Sequence, residues 1–148
     1  MKTFTKASLL FLLLFITYNS KAQRTDFRPK LFNGVENKIN YPKAELEKVF
    51  TKTKGSTYKI SLPGNFNFTG TIVSSVQRYD NLKSFLIKSD VLNGAMFSIS
   101  RRINEDNTIS YTGRIINEKY SDGYELIVDA KGNYSLNKID MNELLQDR

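Results

Sequence analysis

Apolar residues recur at every second position along four successive runs between Gly94 and Asp140. A period of two is typical of half-buried β-strands, whereas helices repeat every 3.6 residues. The runs therefore predict four consecutive antiparallel strands, a meander. The apolar face of these strands holds Phe97, Ile99, Ile103, Ile109, Tyr111, Gly113, Ile115, Tyr124, Leu126, Val128, Tyr134 and Leu136.

The first two strands of the meander pair well in one register. Placing Ile103 opposite Ile109 also places Phe97 opposite Ile115 and leaves Asn104–Thr108 as the loop. A shift by one residue would turn a whole apolar face toward solvent. The pattern therefore predicts this register and no neighbouring one.

The last two strands are predicted to pair in the same way. Placing Val128 opposite Tyr134 leaves Asp129–Asn133 as the loop, with Gly132 where such a loop needs a positive φ. The dipeptide Asp122-Gly123 is a turn signal and predicts the turn before the third strand.

A short helix is predicted upstream of the strands. Leu46, Val49 and Phe50 follow the i, i+3, i+4 spacing of one helical face. Pro42 suits a first helical turn and Gly55 suits the end. A helix this short needs to pack on the sheet to be stable.

Three further alternating runs lie between this helix and the meander. Their apolar positions are Tyr58, Ile60, Leu62, Phe66, Phe68, Gly70, Ile72, Val76, Phe85 and Ile87. The inward glycines, Gly70 and Gly113, favour a bulge or a bend. Asp140 and Glu143 predict a capping box for a final helical turn. The predicted fold is mainly β, an about seven-stranded curled antiparallel sheet or small open barrel, with a two-sheet sandwich as the alternative.

Residues 1–22 have the pattern of a secretory signal peptide. Two lysines precede the unbroken apolar run Leu9–Ile16, and the small residues Ser20 and Ala22 stand at positions −3 and −1 of a cleavage site. The run is too short to span a bilayer, which needs about 20 apolar residues. We expect a secreted or periplasmic protein with no membrane span after cleavage. Residues 23–40 are predicted to form an extended arm and residues 41–148 a single antiparallel β domain.

Charge and composition exclude several functions. The first 22 residues hold three of the 22 Lys and Arg residues and none of the 15 Asp and Glu residues, so the net charge of the remainder falls from +7 to +4. This modest charge gives no reason to expect a nucleic-acid partner. The chain has no Cys and no His, which excludes thiol nucleophiles, Ser-His-Asp triads and zinc sites built on these ligands.

Metal and cofactor sites are not expected. The loop residues Asn104–Asn107 offer oxygen ligands, but their spacing matches no calcium-binding loop and is typical of turns. No phosphate-binding or dinucleotide-binding motif occurs. A mechanism based on two carboxylates stays open.

The predicted register places small hydroxyl residues and two arginines on the polar face of the meander. Ser98 lies opposite Arg114, and Ser100 lies opposite Thr112. Such a face can bind an anionic or polar partner. Tyrosines predicted in turns can add contacts. The candidate ligand-binding residues are Ser98, Ser100, Arg102, Thr112, Arg114, Tyr79 and Tyr120.

These features favour an exported, non-catalytic β domain that acts as a binding or accessory module. Its partner would be a secreted or periplasmic protein or a polar surface ligand. Two alternatives stay open. One is an inhibitor or propeptide-like regulator of a secreted hydrolase, which would present a hairpin loop or an edge strand. The other is a small carboxylate-dependent hydrolase.

Overall fold

The computed structural model describes residues 28–63 and 66–146, so the signal peptide predicted for residues 1–22 lies outside the described residues. Within them the chain forms eight strands and two helices, in agreement with the mainly β prediction of about seven strands. The elements are β1 (Lys38–Asn40), α1 (Lys43–Phe50), β2 (Thr57–Ser61), β3 (Asn67–Tyr79), β4 (Leu82–Ser89), β5 (Met96–Ile103), β6 (Ile109–Ile116), β7 (Asp122–Val128), β8 (Tyr134–Asp140) and α2 (Met141–Gln146).

All strands belong to one antiparallel sheet with the order β1-β8-β7-β6-β5-β4-β3-β2. Strands β2 to β8 follow one another as a meander, and β1 adds to the edge formed by β8. The sheet curls into a half-barrel. One face of each strand is buried in the core and the other carries the more polar residues.

The structure confirms the register predicted for both hairpins. Ile103 pairs with Ile109 and Phe97 with Ile115, as the alternation required. Val128 pairs with Tyr134, and Gly132 in the connecting loop has a φ of 83°.

The turn predicted at Asp122-Gly123 is wrong, because both residues belong to strand β7. The turn lies just before them, where the N–H of Tyr120 donates to the carbonyl of Asn117 (2.9 Å). Gly123 is needed for close packing: a Cβ there would lie 2.7 Å from the carbonyl oxygen of Ile115. Asp122 and Gly123, which have the composition of a turn, therefore make contacts within the sheet.

The carboxylate of Asp122 holds a segment that precedes β1. We name residues 28–37 the strap. Oδ1 of Asp122 accepts the N–H of Leu31 (2.6 Å) and Oδ2 accepts the N–H of Phe32 (3.1 Å). The ammonium of Lys138 donates to the carbonyls of Phe32 and Val35 (2.9 and 2.7 Å). Two oppositely charged side chains thus fix the strap to β7 and β8.

The strap also contributes to the core. The ring of Phe32 is buried and packs edge-on against Tyr124, with ring centroids 4.8 Å apart. Ile39 of β1 is buried and pairs with Leu136 of β8. The segment predicted as an extended arm therefore includes a strand and core residues.

Strand β3 bends at a register shift between Ile72 and Ser74, which leaves Val73 as an extra residue. The shift moves Val76 to the outer face, where it is 43% exposed, and not to the predicted apolar face. Gly70 lies close to this irregularity. A Cβ on Gly70 would lie 2.4 Å from the carbonyl oxygen of Lys88, so glycine permits the close approach of β3 and β4.

Both predicted helices form, but α1 ends at Phe50 with Thr51 as its C-cap, so the helix end predicted at Gly55 is wrong. Pro42 occupies the N-cap position of α1, and Leu46 and Val49 are buried. Phe50 packs edge-on against Phe85 of β4. At the start of α2, Asp140 accepts the N–H of Asn142 (2.8 Å). Among the described residues, neither helix has the length and apolar character needed to cross a membrane.

Candidate functional site

Four of the seven candidate residues come together on the outer face of the sheet. Ser98 lies opposite Arg114 and Ser100 lies opposite Thr112, as the register predicts. They line a shallow depression of about 400 Å³. We name it the outer depression; its lining residues are Ser98, Ser100, Thr112, Gly113, Arg114, Glu125 and Leu126.

Glu125 of β7 is the part of this site that the sequence did not identify. The Nε and Nη2 atoms of Arg114 both donate to Oε1 of Glu125, at 2.9 and 2.7 Å. The two residues are register partners on neighbouring strands. Because the pair is partly exposed, we expect it to stabilise the fold by no more than about 1 kcal/mol. Its main effect is to hold the guanidinium in one orientation.

The serine hydroxyls are already ordered within the depression. Ser100 Oγ lies 2.8 Å from Ser84 Oγ of β4, a cross-strand hydrogen bond. Ser98 Oγ donates to the carbonyl of Arg114 at 3.4 Å. Hydroxyls both donate and accept hydrogen bonds, so this surface can bind donors as well as acceptors of a partner.

Arg102 lies apart from Arg114. It is exposed and pairs with Ser110 of β6. Ser110 lies four residues before Arg114 on that strand, which corresponds to about 13 Å at about 3.3 Å per residue. It lines a second, more open depression of about 570 Å³ near the β5–β6 loop. The two arginines therefore lie at opposite ends of the hydroxyl row.

The two candidate tyrosines lie far from the outer depression and from each other. Tyr79 ends β3 beside the β3–β4 turn and is 70% exposed. Tyr120 lies in the β6–β7 turn, at the other end of the sheet, and its hydroxyl accepts a hydrogen bond from Nδ2 of Asn93 (2.6 Å). They do not form one surface with the serines and arginines.

The outer depression marks a place where the sheet divides. Of the residues described in β6 and β7, two register pairs join the strands, Arg114 with Glu125 and Ile115 with Tyr124. Beyond Arg114 the strands have no ladder pairs. We name the space between residues 109–113 of β6 and residues 126–128 of β7 the fork. The alternation of apolar residues in the sequence does not reveal this separation of β6 from β7.

A side chain from β8 reaches the fork. The hydroxyl of Tyr134 accepts the N–H of Tyr111 at 3.2 Å. On β7, Ile127 and Val128 are 39% and 49% exposed. The fork therefore combines strand edges with exposed apolar side chains.

A second polar cluster lies on the inner face, where α1 meets the sheet. The hydroxyl of Tyr111 donates to Glu47 of α1, and Nε of Arg101 lies 3.7 Å from the other carboxylate oxygen of Glu47. Burial, and then the hydrogen bond to Glu47, raise the pKa of Tyr111. The cluster joins the helix to β5 and β6, which is a structural role.

The loop Asn104–Asn107, which offers oxygen ligands, forms a local turn. The Asp106 carboxylate accepts the hydroxyl and the N–H of Thr108, and the hydroxyl contact is the first cause of its lowered pKa. No group of three or more acidic side chains in residues 28–63 and 66–146 is placed to hold a metal ion.

Comparisons with protein-family models, with curated proteins and with solved structures find no match to this chain.

Proposed function

We propose that the chain is an exported, non-catalytic binding module and that the outer depression is its ligand site. The observation that supports this most is the convergence of two serines, a threonine and the Arg114–Glu125 pair on one depression. Ser98, Ser100 and Arg114 are already held by hydrogen bonds within the protein, so the site is largely formed before any partner arrives. A preformed site loses less conformational entropy on binding.

The chemistry of the depression favours a polar partner that both donates and accepts hydrogen bonds. Arg114 presents N–H donors and Glu125 presents carboxylate oxygens within one pair. This local neutrality does not suit a polyanion. A peptide backbone or an uncharged polar surface fits better, because it alternates donors and acceptors.

The positions of the carboxylates support a non-catalytic role. Glu125 lines the outer depression and is bound by Arg114, and no second carboxylate among the described residues lines it. Hydrolysis of a glycosidic bond by carboxylates needs two acids about 5–9 Å apart. Asp122, which is buried, accepts two backbone N–H groups of the strap. These two hydrogen bonds give the buried carboxylate of Asp122 a structural role.

An inhibitor of a secreted hydrolase is the second candidate, because the β3–β4 hairpin carries an exposed aromatic residue at its end. Tyr79 is 70% exposed and the turn that follows is only two residues long. A narrow hairpin with an aromatic tip can enter an active-site cleft. This candidate uses a different surface, so one experiment can separate the two.

The test is partner capture from the secreted and periplasmic fractions of the producing organism, with residues 23–148 immobilised through a C-terminal tag. The site variant is Arg114→Glu, the arginine that lines the outer depression. The control is Lys59→Glu, which makes the same change in charge at an exposed position outside the site. Circular dichroism melts show that each variant is folded.

We expect the wild type and the control to retain the same partner and the site variant to retain about tenfold less, the effect of about 1.4 kcal/mol. Equal retention by all three proteins would refute the outer depression as the site. Loss of the partner on Tyr79→Ala alone would establish the hairpin as the binding surface and support the inhibitor.

A further inference from the structure

The backbone of β6 faces the fork with hydrogen-bonding groups that β7 does not pair. The N–H of Asn104 donates to the carbonyl of Thr108 (2.8 Å) at the end of the β5–β6 hairpin. Hydrogen-bonded pairs alternate along antiparallel strands from that point. The N–H and C=O groups of Ile109 and Tyr111 and the N–H of Gly113 therefore point away from β5 and toward the fork, whereas the C=O of Gly113 takes part in the Arg114–Glu125 pairing with β7.

The backbone of β7 faces the fork from the other side. The N–H of Asp129 donates to the carbonyl of Asn133 (2.9 Å), which begins the same alternation between β7 and β8. The C=O of Leu126 and the N–H and C=O of Val128 consequently point away from β8 and toward the fork, whereas the N–H of Leu126 takes part in the Arg114–Glu125 pairing with β6. Both sides of the fork thus present the donors and acceptors of a strand edge.

From this geometry we propose that the fork binds an extended peptide, which adds as a strand antiparallel to β6 and brings apolar side chains against Ile127 and Val128. The inference rests on the proposed function, because it names the class of partner that the site would hold. The outer depression lies where β6 and β7 separate, so Arg114 and Glu125 would meet the polar end of the inserted strand.

An extended peptide is the occupant that matches both features of the fork. Backbone donors and acceptors repeating at every second residue are complementary to another strand. The exposed side chains of Ile127 and Val128 supply apolar contact that a sugar or an ion would not use. The Tyr134 hydroxyl accepts the N–H of Tyr111, and a carbonyl of the inserted strand would replace it as the acceptor.

The outer edges of the sheet are less suited to such a partner. Strand β1 has three residues, too few for a stable additional pairing. Strand β2 has five residues, but its exposed side chains are Thr57, Lys59 and Ser61. A lysine on an edge strand discourages pairing with another chain. The fork lacks this protection.

The probe is an acetylated and amidated heptapeptide, Lys-Val-Thr-Val-Thr-Val-Lys, added to residues 23–148 while backbone amide exchange is followed by NMR. The control peptide, Lys-Val-Pro-Val-Pro-Val-Lys, has the same charge but lacks two N–H donors. We expect the first peptide to slow exchange of the Tyr111, Gly113 and Val128 amides about tenfold, and the second to have no effect. Unchanged exchange at the fork, or changes confined to β2, would overturn the proposal.

A matched pair of variants sharpens the test. Val128→Lys places a charge on the fork edge and should weaken heptapeptide binding about tenfold, whereas Val91→Lys changes an exposed valine elsewhere and should leave it unchanged. Heptapeptide binding that is equally strong in both variants would refute insertion in the fork.

The same variants separate this proposal from the proposed function. If the Arg114→Glu protein loses its captured partner while Val128→Lys retains it and the heptapeptide fails to bind, the binding module stands and the fork proposal is wrong. If capture is insensitive to the charge at Arg114 but the heptapeptide slows exchange at the fork, the fork proposal stands and the outer depression is not the site.

Discussion

The hydroxyl oxygen of Tyr134 lies 3.2 Å from the backbone nitrogen of Tyr111 and accepts its hydrogen bond. In an unbroken sheet this N–H would donate to a carbonyl of β7. Here a side chain from the next strand provides the acceptor. A buried N–H without a partner is costly, so this contact helps the sheet to remain divided between β6 and β7.

Replacing Tyr134 by phenylalanine should therefore destabilise the protein. The change keeps the ring, which packs against Tyr111 with centroids 5.5 Å apart, and removes the acceptor. We expect the free energy of unfolding to fall by about 1–2 kcal/mol, measured by urea denaturation, and the Tyr111 amide to exchange faster. The control is Tyr79→Phe, at an exposed position, which should leave stability unchanged. Equal stability of the two variants would contradict this account.

The strap should depend on the carboxylate of Asp122. Asp122→Ala leaves the N–H groups of Leu31 and Phe32 without acceptors and should lower the free energy of unfolding by about 3 kcal/mol. Asp122→Asn keeps one acceptor oxygen and should lie between the alanine variant and the wild type. Amide exchange should show the loss first in residues 28–37. Asp106→Ala, in an exposed loop, is the control, and a loss as large there would argue against a special role for Asp122.

Two tyrosines should make the protein sensitive to alkaline pH. Burial raises the pKa of Tyr58 and of Tyr124 from 10.0 to about 12. Because the folded state holds these protons more tightly than the unfolded state, their contribution to stability is complete below pH 10 and is lost as the pH rises toward 12. Urea denaturation at intervals between pH 9 and pH 12 measures the decline. In Tyr58→Phe the decline should be shallower, and an unchanged slope would exclude Tyr58 as a cause.

Much of the sheet could be predicted from the sequence because the pairing of neighbouring strands is set by residues close together in the chain. In β5–β6 and β7–β8, strict alternation and a short loop favour one register for each hairpin, and that register is observed, although Ile127 and Val128 of β7 stay 39% and 49% exposed. The helix α1 was predictable for the same reason, since Leu46 and Val49 repeat at helical spacing next to a proline.

The errors arise where long-range packing overrides a local signal. Asp122-Gly123 has the composition of a turn, but the carboxylate serves the strap and the glycine permits contact with Ile115. Val76 continues an alternation that the shift at Val73 interrupts. Strand β1 has only three residues and no period of its own; it forms because β8 offers an edge.

The candidate site was predictable only in part. Register places Ser98, Ser100 and Thr112 on one face with Arg114, and these four residues do line one depression. The partner of Arg114 and the separation of β6 from β7 depend on how the sheet curls, which no spacing in the sequence records. Glu125 and the fork could therefore not be foreseen.

The pairing of β1 with β8 also constrains how the protein is made. Ile39 can find its neighbour Leu136 only after the long stretch of chain between them, through Leu136, has been synthesised. Contacts between such distant positions form late and slow the search for the native state. Until then the nascent chain exposes Phe32 and Ile39 to the cell, so we expect it to depend on a holding chaperone during biogenesis.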